Sequence, residues 1–239
     1  MPADRSARRR ELFLHGARIA LSLAAFAAAH RLGWDLAAAV ASAGIVLGCF
    51  SLGHDLAHGV LGLPRWLSSA LLSISHLAML SSGHGVRATH AMHHRAPLSD
   101  ADTEGRAARR SLLGAVLWAP IDAWMARTAG MRLAPRRDRW IVVVENLASP
   151  LFAVVLAFSE AGRIHLCIAL ALQLSIGVWA SHIPHHVPQW LRALVAPFAR
   201  GPSVVARSLV HHDLHHARPD VPSAWLARVA LAPRPSSAR

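Results

Sequence analysis

The sequence contains no lysine, no tyrosine and only two cysteines in 239 residues. Cys49 and Cys167 both lie inside apolar runs, and no Cys-x-x-Cys occurs. A disulfide framework, a zinc ribbon and a thioredoxin-like centre are therefore unsupported. Acidic residues are scarce too, 13 against 25 basic ones, and every basic residue is arginine. The resulting charge of +12 suits either nucleic acid or a membrane surface. The long apolar runs, in a chain that is 54% hydrophobic, decide for membrane and against nucleic acid. There is no Gly-x-Gly-x-x-Gly fingerprint for a nucleotide, no haem or iron–sulfur domain and no long linker.

Four runs are apolar enough to cross a bilayer: 12–30, 36–53, 140–159 and 164–181. Eighteen helical residues reach about 27 Å, close to a hydrocarbon core. Gly33-Trp34-Asp35 reads as a tight turn between the first two. Trp34, Trp66, Trp140 and Trp190 fall near run boundaries, where indoles anchor at the interface. Residues 64–84 are expected to lie in or dip into the interface, with a full span as the second reading, and 111–131 form a second moderately apolar helix, broken near Pro120 and carrying Asp122 and Arg127. Residues 189–199 are amphipathic. Residues 1–11, with Arg8-Arg9-Arg10, are expected to form a polar lead before an uncleaved first span rather than a signal peptide. A polar tail covers 233–239, leaving one domain over 12–232. All arginines except Arg18, Arg31 and Arg163 fall in segments 1–11, 53–139 and 183–239. That asymmetry places those segments in the cytoplasm. The expected fold is an all-α, polytopic membrane protein: four transmembrane helices, interfacial helices and a cytoplasmic cap.

Histidine is abundant and clustered. His54 and His58, His90 with His93 and His94, and His212 with His215 and His216 each follow helical i, i+3, i+4 spacing. Such positions share one helix face. A fourth cluster holds His182, His185 and His186, and His211 precedes the last. Imidazole, with an ordinary pKa of about 6.5, is largely free to bind metal at neutral pH. Eight or nine imidazoles exceed a four-ligand structural zinc site and fit two metals with four to five nitrogens each. Nitrogen donors suit Fe, Zn, Cu and Ni alike. Asp55 and Asp213, inside clusters, are placed to accept the far N–H of a ligating ring. Asp100, Asp102 and Glu104 could serve likewise, but a solvated loop is the first reading. Glu145, near a span's inner end, is suited to pairing with a histidine or an arginine, and Trp179 to packing.

His54-x3-His58, His90-x2-His93-His94 and His212-x2-His215-His216 resemble, in order and spacing, the three histidine boxes of the membrane fatty acid desaturase superfamily. The flanks are similar as well: Gly53-His54-Asp55 with His58-Gly59, Thr89-His90 with His93-His94-Arg95, and Asp220-Val221-Pro222 after the last box. The likeness covers roughly residues 36–228. It implies two non-haem iron ions held by histidine alone, with O2 as co-substrate and two electrons from outside. The implied reaction desaturates, hydroxylates or ketolates a lipid chain. The implied ligands are His54, His58, His90, His93, His94, His212, His215 and His216, with His185 as the ninth, from the family's Asn-x3-His segment. Ser181 stands where that segment has Asn. His182, His186 and His211 are expected beside the ligands, not among them. The implied electron donor is a separate acidic carrier, a ferredoxin or a cytochrome of the b5 type, docking on the arginine-rich face.

The chain's length, His90-Ala91-Met92-His93-His94-Arg95 and Trp179-x4-Pro184-His185 are also similar to carotenoid ketolases. Fatty acyl desaturation ranks first, and carotenoid ketolation or hydroxylation second. The third reading is a metal-binding or metal-transporting membrane protein. A transporter places its ligands at mid-bilayer depth, whereas these clusters fall at the ends of runs.

Overall fold

The computed structural model describes residues 5–199 and 203–231. The expected tail and the first four residues of the expected lead lie outside that range. Every regular element among the described residues is helical. Helices α1 (Arg5–Arg31) and α2 (Asp35–Ala57) form a hairpin around Gly33, whose φ of +69° is the left-handed conformation glycine adopts without strain. Glycines on α2 let the pair approach closely. A Cβ at Gly48 would lie 2.9 Å from Ile19 Cγ1, and one at Gly44 would lie 2.7 Å from Ser22 Oγ. Small residues spaced four apart are the usual route to close helix contact in lipid.

The first helix starts earlier than its apolar run. Residues 5–11 form its opening turns, not a separate lead, because Glu11 has buried partners: His15 Nε2 at 3.5 Å and Arg207 Nη1 at 3.7 Å. Helix α3 (Arg65–Ala78) has 14 residues. At about 21 Å it is too short for a core of about 30 Å. Helix α4 (Gly83–Arg95) starts at Ser82, whose Oγ accepts the Gly85 amide at 3.1 Å. Helix α5 (Leu112–Leu133) crosses α4 where Gly130 meets the Gly85 backbone. Helices α6 (Arg139–Ala157) and α7 (Glu160–Leu174) follow. After α7 the chain bends by 52° into a π-helical turn, Gly177–His182, and the single turn α8 (Ile183–His185). Then come α9 (Gln189–Ala199), α10 (Val204–Ala217) and the short α11 (Leu226–Leu231).

Helices α1, α2 and α6 are long and apolar enough to cross a membrane, and α7 with its bent continuation makes a fourth if counted as one span. Their outward faces carry exposed Leu21, Val40, Val143, Leu147, Leu151 and Val154. Apolar surface on this scale is suited to lipid, not water. Inside, Ile45, Val46 and Cys49 of α2 pack with Met79, Leu80 and Ala169. Leu52 and Leu56 pack with Leu61 and Leu72. These contacts hold the C-terminal end of α2 in place.

Buried polar groups brace the same region. The Glu145 carboxylate accepts from Ser73 Oγ and Ser82 Oγ, both at 2.6 Å, from the His84 amide at 3.0 Å and from His84 Nδ1 at 2.7 Å. One side chain of α6 thus fixes both α3 and the start of α4. His165 on α7 donates from Nε2 to the Ala78 carbonyl at 3.0 Å, which leaves Nδ1 to accept from Ser42 Oγ at 2.8 Å.

Candidate metal centre

Four separate pieces of chain deliver imidazoles to one place. His54 and His58 are one turn apart at the end of α2. Helix α4, aimed by Ser82 and Glu145, supplies His90, His93 and His94. Helix α10, kinked at His211 (φ −113°, ψ 17°), supplies His212, His215 and His216. His185 arrives on α8, directly after the π-helical turn. Such turns insert an extra residue per turn and often occur at functional sites.

The rings sort into two adjoining groups. His54, His58, His90 and His215 have donor atoms within 4.8 Å of one another. The closest Nε2–Nε2 pairs are His58–His90 at 2.9 Å and His54–His215 at 3.1 Å. His94 joins this group, with Nε2 3.1 Å from His90 and 3.0 Å from His215. His93, His185, His212 and His216 form the second group. There the Nε2–Nε2 separations are 3.2 Å for His93–His216, 3.1 Å for His185–His212 and 3.2 Å for His212–His216. The sequence-derived ligand set thus comes together as five nitrogens beside four.

Two carboxylates set the direction of the rings. His90 Nδ1 donates to Glu104 Oε1 at 2.8 Å, and His93 Nδ1 donates to Asp102 Oδ2 at 2.7 Å. Each bond puts the ring proton on Nδ1 and leaves Nε2 as a lone pair aimed into the cluster. Burial and neighbouring imidazoles push His58 and His212 down to about 2, His94 to about 3 and His216 to about 4. His215 is lowered by the same causes. Burial also opposes protonation of His93, but its bond to Asp102 and the charge of Glu104 outweigh that and raise it. Burial works against ionisation of Glu104, yet the charge and hydrogen bond of His90 hold it down at about 2.

With the proton held on Nδ1 in His90 and His93, their Nε2 lone pairs are free to face a cation or a partner's Nε2–H. His90 illustrates this: its Nε2, already bare, lies close to two other Nε2 atoms. A cation between them takes such lone pairs directly. Separations of 2.9–3.2 Å match the spacing of about 3 Å between neighbouring nitrogens on a six-coordinate first-row ion, whose bonds are about 2.1 Å; a tetrahedral site would space them at about 3.4 Å. The donor set therefore fits two metal ions.

The supporting residues differ in part from expectation. Asp55 is buried, but it reaches His54 Nδ1 only at 3.5 Å, and its closer partners are Ser223 Oγ at 2.7 Å and His15 Nε2 at 3.2 Å. Asp213 is corrected: its exposed side chain pairs with Arg192 at 2.7 Å, because the face of α10 it occupies turns outward. Asp102 and Glu104, expected in a solvated loop, take that supporting role. The available signal was their concentration: three of the 13 acids fall between positions 100 and 104. His182 and His186 stack at 4.3 Å and bond to the carbonyls of Ala107 and His182, so neither joins the nitrogen groups. His211 lines a cavity beside the site. Glu145 pairs with a histidine, His84, away from the cluster. Glu11, His15 and Asp55 form a third group of closely spaced donors. Arg207, 3.7 Å from Glu11, already supplies positive charge there, making it an ion-pair network that joins α1 to α2 and α10.

Two cavities flank the centre, one lined by Gln173, Ser181 and Thr103, the other by His54, His90 and His212. Phe50, Glu104 and Ala180 border both. Trp179 packs edge-on against Phe50 at 4.8 Å. Comparison with protein-family models, with curated proteins and with solved structures finds no match for this chain.

Proposed function

We propose that the chain is a multi-pass membrane oxidoreductase that holds two iron ions and uses O2 to desaturate or hydroxylate a lipid acyl chain, as the resemblance to fatty acid desaturases implies. The observation that carries this reading is the convergence of nine imidazoles, through Nε2, into groups of five and four. The bent pair after α6 counts as the fourth span. The arginine asymmetry then puts the metal end at the cytoplasmic face. There an acidic electron carrier, a ferredoxin or a b5-type cytochrome, docks on arginine.

Two irons, when bound, supply the redox chemistry with dioxygen that attack on an unactivated C–H bond requires and that no side chain provides. The protein's own residues do the rest. Asp102 and Glu104 hold His93 and His90 in one tautomer and one orientation. Phe50, braced by Trp179, forms an apolar wall between the two cavities. An apolar chain seated there is fixed against the metal end while water is excluded.

The test is lipid mass spectrometry of a host expressing the chain, beside His93→Ala and His215→Ala controls, with iron measured in each purified protein. The expected result is new unsaturated or hydroxylated acyl chains with wild type alone, and two irons per chain. Full activity in either variant refutes the ligand assignment. A pigment change in a β-carotene-producing host, with an unchanged acyl profile, moves the substrate to carotenoids.

A further inference from the structure

The cavity lined by Gln173 and Ser181 is not uniformly apolar, and four of its polar atoms are unpaired. Ser181 Oγ, Gln173 Oε1, Thr103 Oγ1 and Glu104 Oε2 are all buried and have no hydrogen-bond partner among the described residues. All four residues line this one cavity. Ser181 is 3% exposed. Leaving a buried polar atom unpaired costs free energy, so nearly all such atoms in folded proteins have a partner. Four around one cavity, beside the histidine cluster, mark a place where a ligand supplies the partners.

The chemistry of the four atoms selects the ligand. Gln173 Oε1 and Glu104 Oε2 accept only, and so call for a donor. Ser181 and Thr103 hydroxyls can both donate and accept. A hydroxyl group satisfies both kinds at once. A carboxylate cannot donate, and it would face the negative charge of Glu104. Arg127, in the same cavity lining, directs Nε, Nη1 and Nη2 to Asn146 and the Leu80 carbonyl. The remaining lining, including Phe50, Val86, Ala123, Ala126 and Ile176, is apolar. The geometry points to a binding site for a long-chain alcohol in this cavity, its hydroxyl donating to Gln173 Oε1 and accepting from the Ser181 and Thr103 hydroxyls, and its chain along the apolar wall. This inference rests on the proposed lipid chemistry only for what becomes of the bound molecule; the binding itself requires neither metal nor turnover.

The experiment is saturation binding of tritiated dodecan-1-ol to the purified full chain in detergent, with competition by unlabelled dodecan-1-ol, dodecane and dodecanoate. The expected result is one saturable site at which the alcohol competes at least tenfold better than either analogue. Gln173→Leu and Ser181→Ala should each weaken the alcohol at least fivefold and leave dodecane unchanged, with Thr103→Val as a further variant should one of these fail to fold. Absence of saturable binding, equal competition by dodecane, or preference for dodecanoate overturns the inference. Iron content and oxygen uptake are read separately. Alcohol selectivity without iron would sink the redox reading alone, and iron with no alcohol selectivity would sink this inference alone.

Discussion

His93 Nδ1 lies 2.7 Å from Asp102 Oδ2, and the same carboxylate accepts the amides of Leu98 and Gly105, each at 2.8 Å. One acid thereby ties a ligand ring to the loop that follows its helix. Leu98 sits at φ +58°, an uncommon conformation for a side-chain-bearing residue, held by that bond. Asp102→Asn should weaken metal retention about 10- to 100-fold, the usual effect of losing a ligand's supporting partner. Competition with a graded series of chelators measures this; unchanged retention would remove Asp102 from the site.

Metal stoichiometry tests the division into two groups. Replacing both His212 and His216 with alanine strips the second group of half its donors and leaves the first intact. The expected metal content falls from two ions to one per chain. Metal analysis of the purified double variant reads it directly, and retention of two ions would mean the grouping is mistaken.

The histidines make the metal-free protein sensitive to acid. His58, His94, His212 and His216 are held at about 2, 3, 2 and 4, whereas an unfolded chain protonates them near about 6.5. Between those values the unfolded state binds protons that the folded state does not, so stability rises with pH from about 4 to about 6.5. His93, which is raised, acts oppositely: its contribution is complete below about 6.5 and fades as pH climbs through its folded value. The lowered group outnumbers it. The melting temperature of metal-free protein should therefore drop between pH 7 and pH 5, and His212→Ala should flatten the drop. A flat profile in wild type contradicts the burial of these rings.

Glu145→Gln replaces an acceptor of four hydrogen bonds with a group that accepts at one end only. At least one of the serine or His84 donors then faces an amide N–H. The expected loss is about 2 kcal/mol, read as a lower melting temperature in detergent. Because Glu145 aims α4, metal affinity should fall in step; normal affinity with lower stability would confine its role to packing.

Gly48→Val tests the α1–α2 contact. The new side chain would collide with Ile19 and cost about 1–3 kcal/mol, the usual range for overpacking. Ile19→Ala should recover part of the loss in the double variant. Strict additivity of the two changes would show that the residues do not touch.

Much of this was legible because it is local. Spacing of three and four along a helix puts His90, His93 and His94 on one face whatever surrounds them, and apolar runs announced α1, α2 and α6. What pairs across the chain was not legible. Asp102 and Glu104 look like any acidic loop until the loop folds back on α4. Asp213 looks like a ligand's neighbour until α10 turns it toward Arg192. The early start of α1 depends on Glu11 meeting Arg207, some two hundred positions away. Local pattern carries no signal of such meetings.

The 3.1 Å approach of His54 to His215 joins positions 161 residues apart. During synthesis the hairpin of α1 and α2 can enter the bilayer long before α10 leaves the ribosome. Until then the early imidazoles stand without their counterparts. On the proposed two-metal reading, loading is accordingly a late event, and a nascent chain halted before residue 204 is expected to hold neither ion firmly.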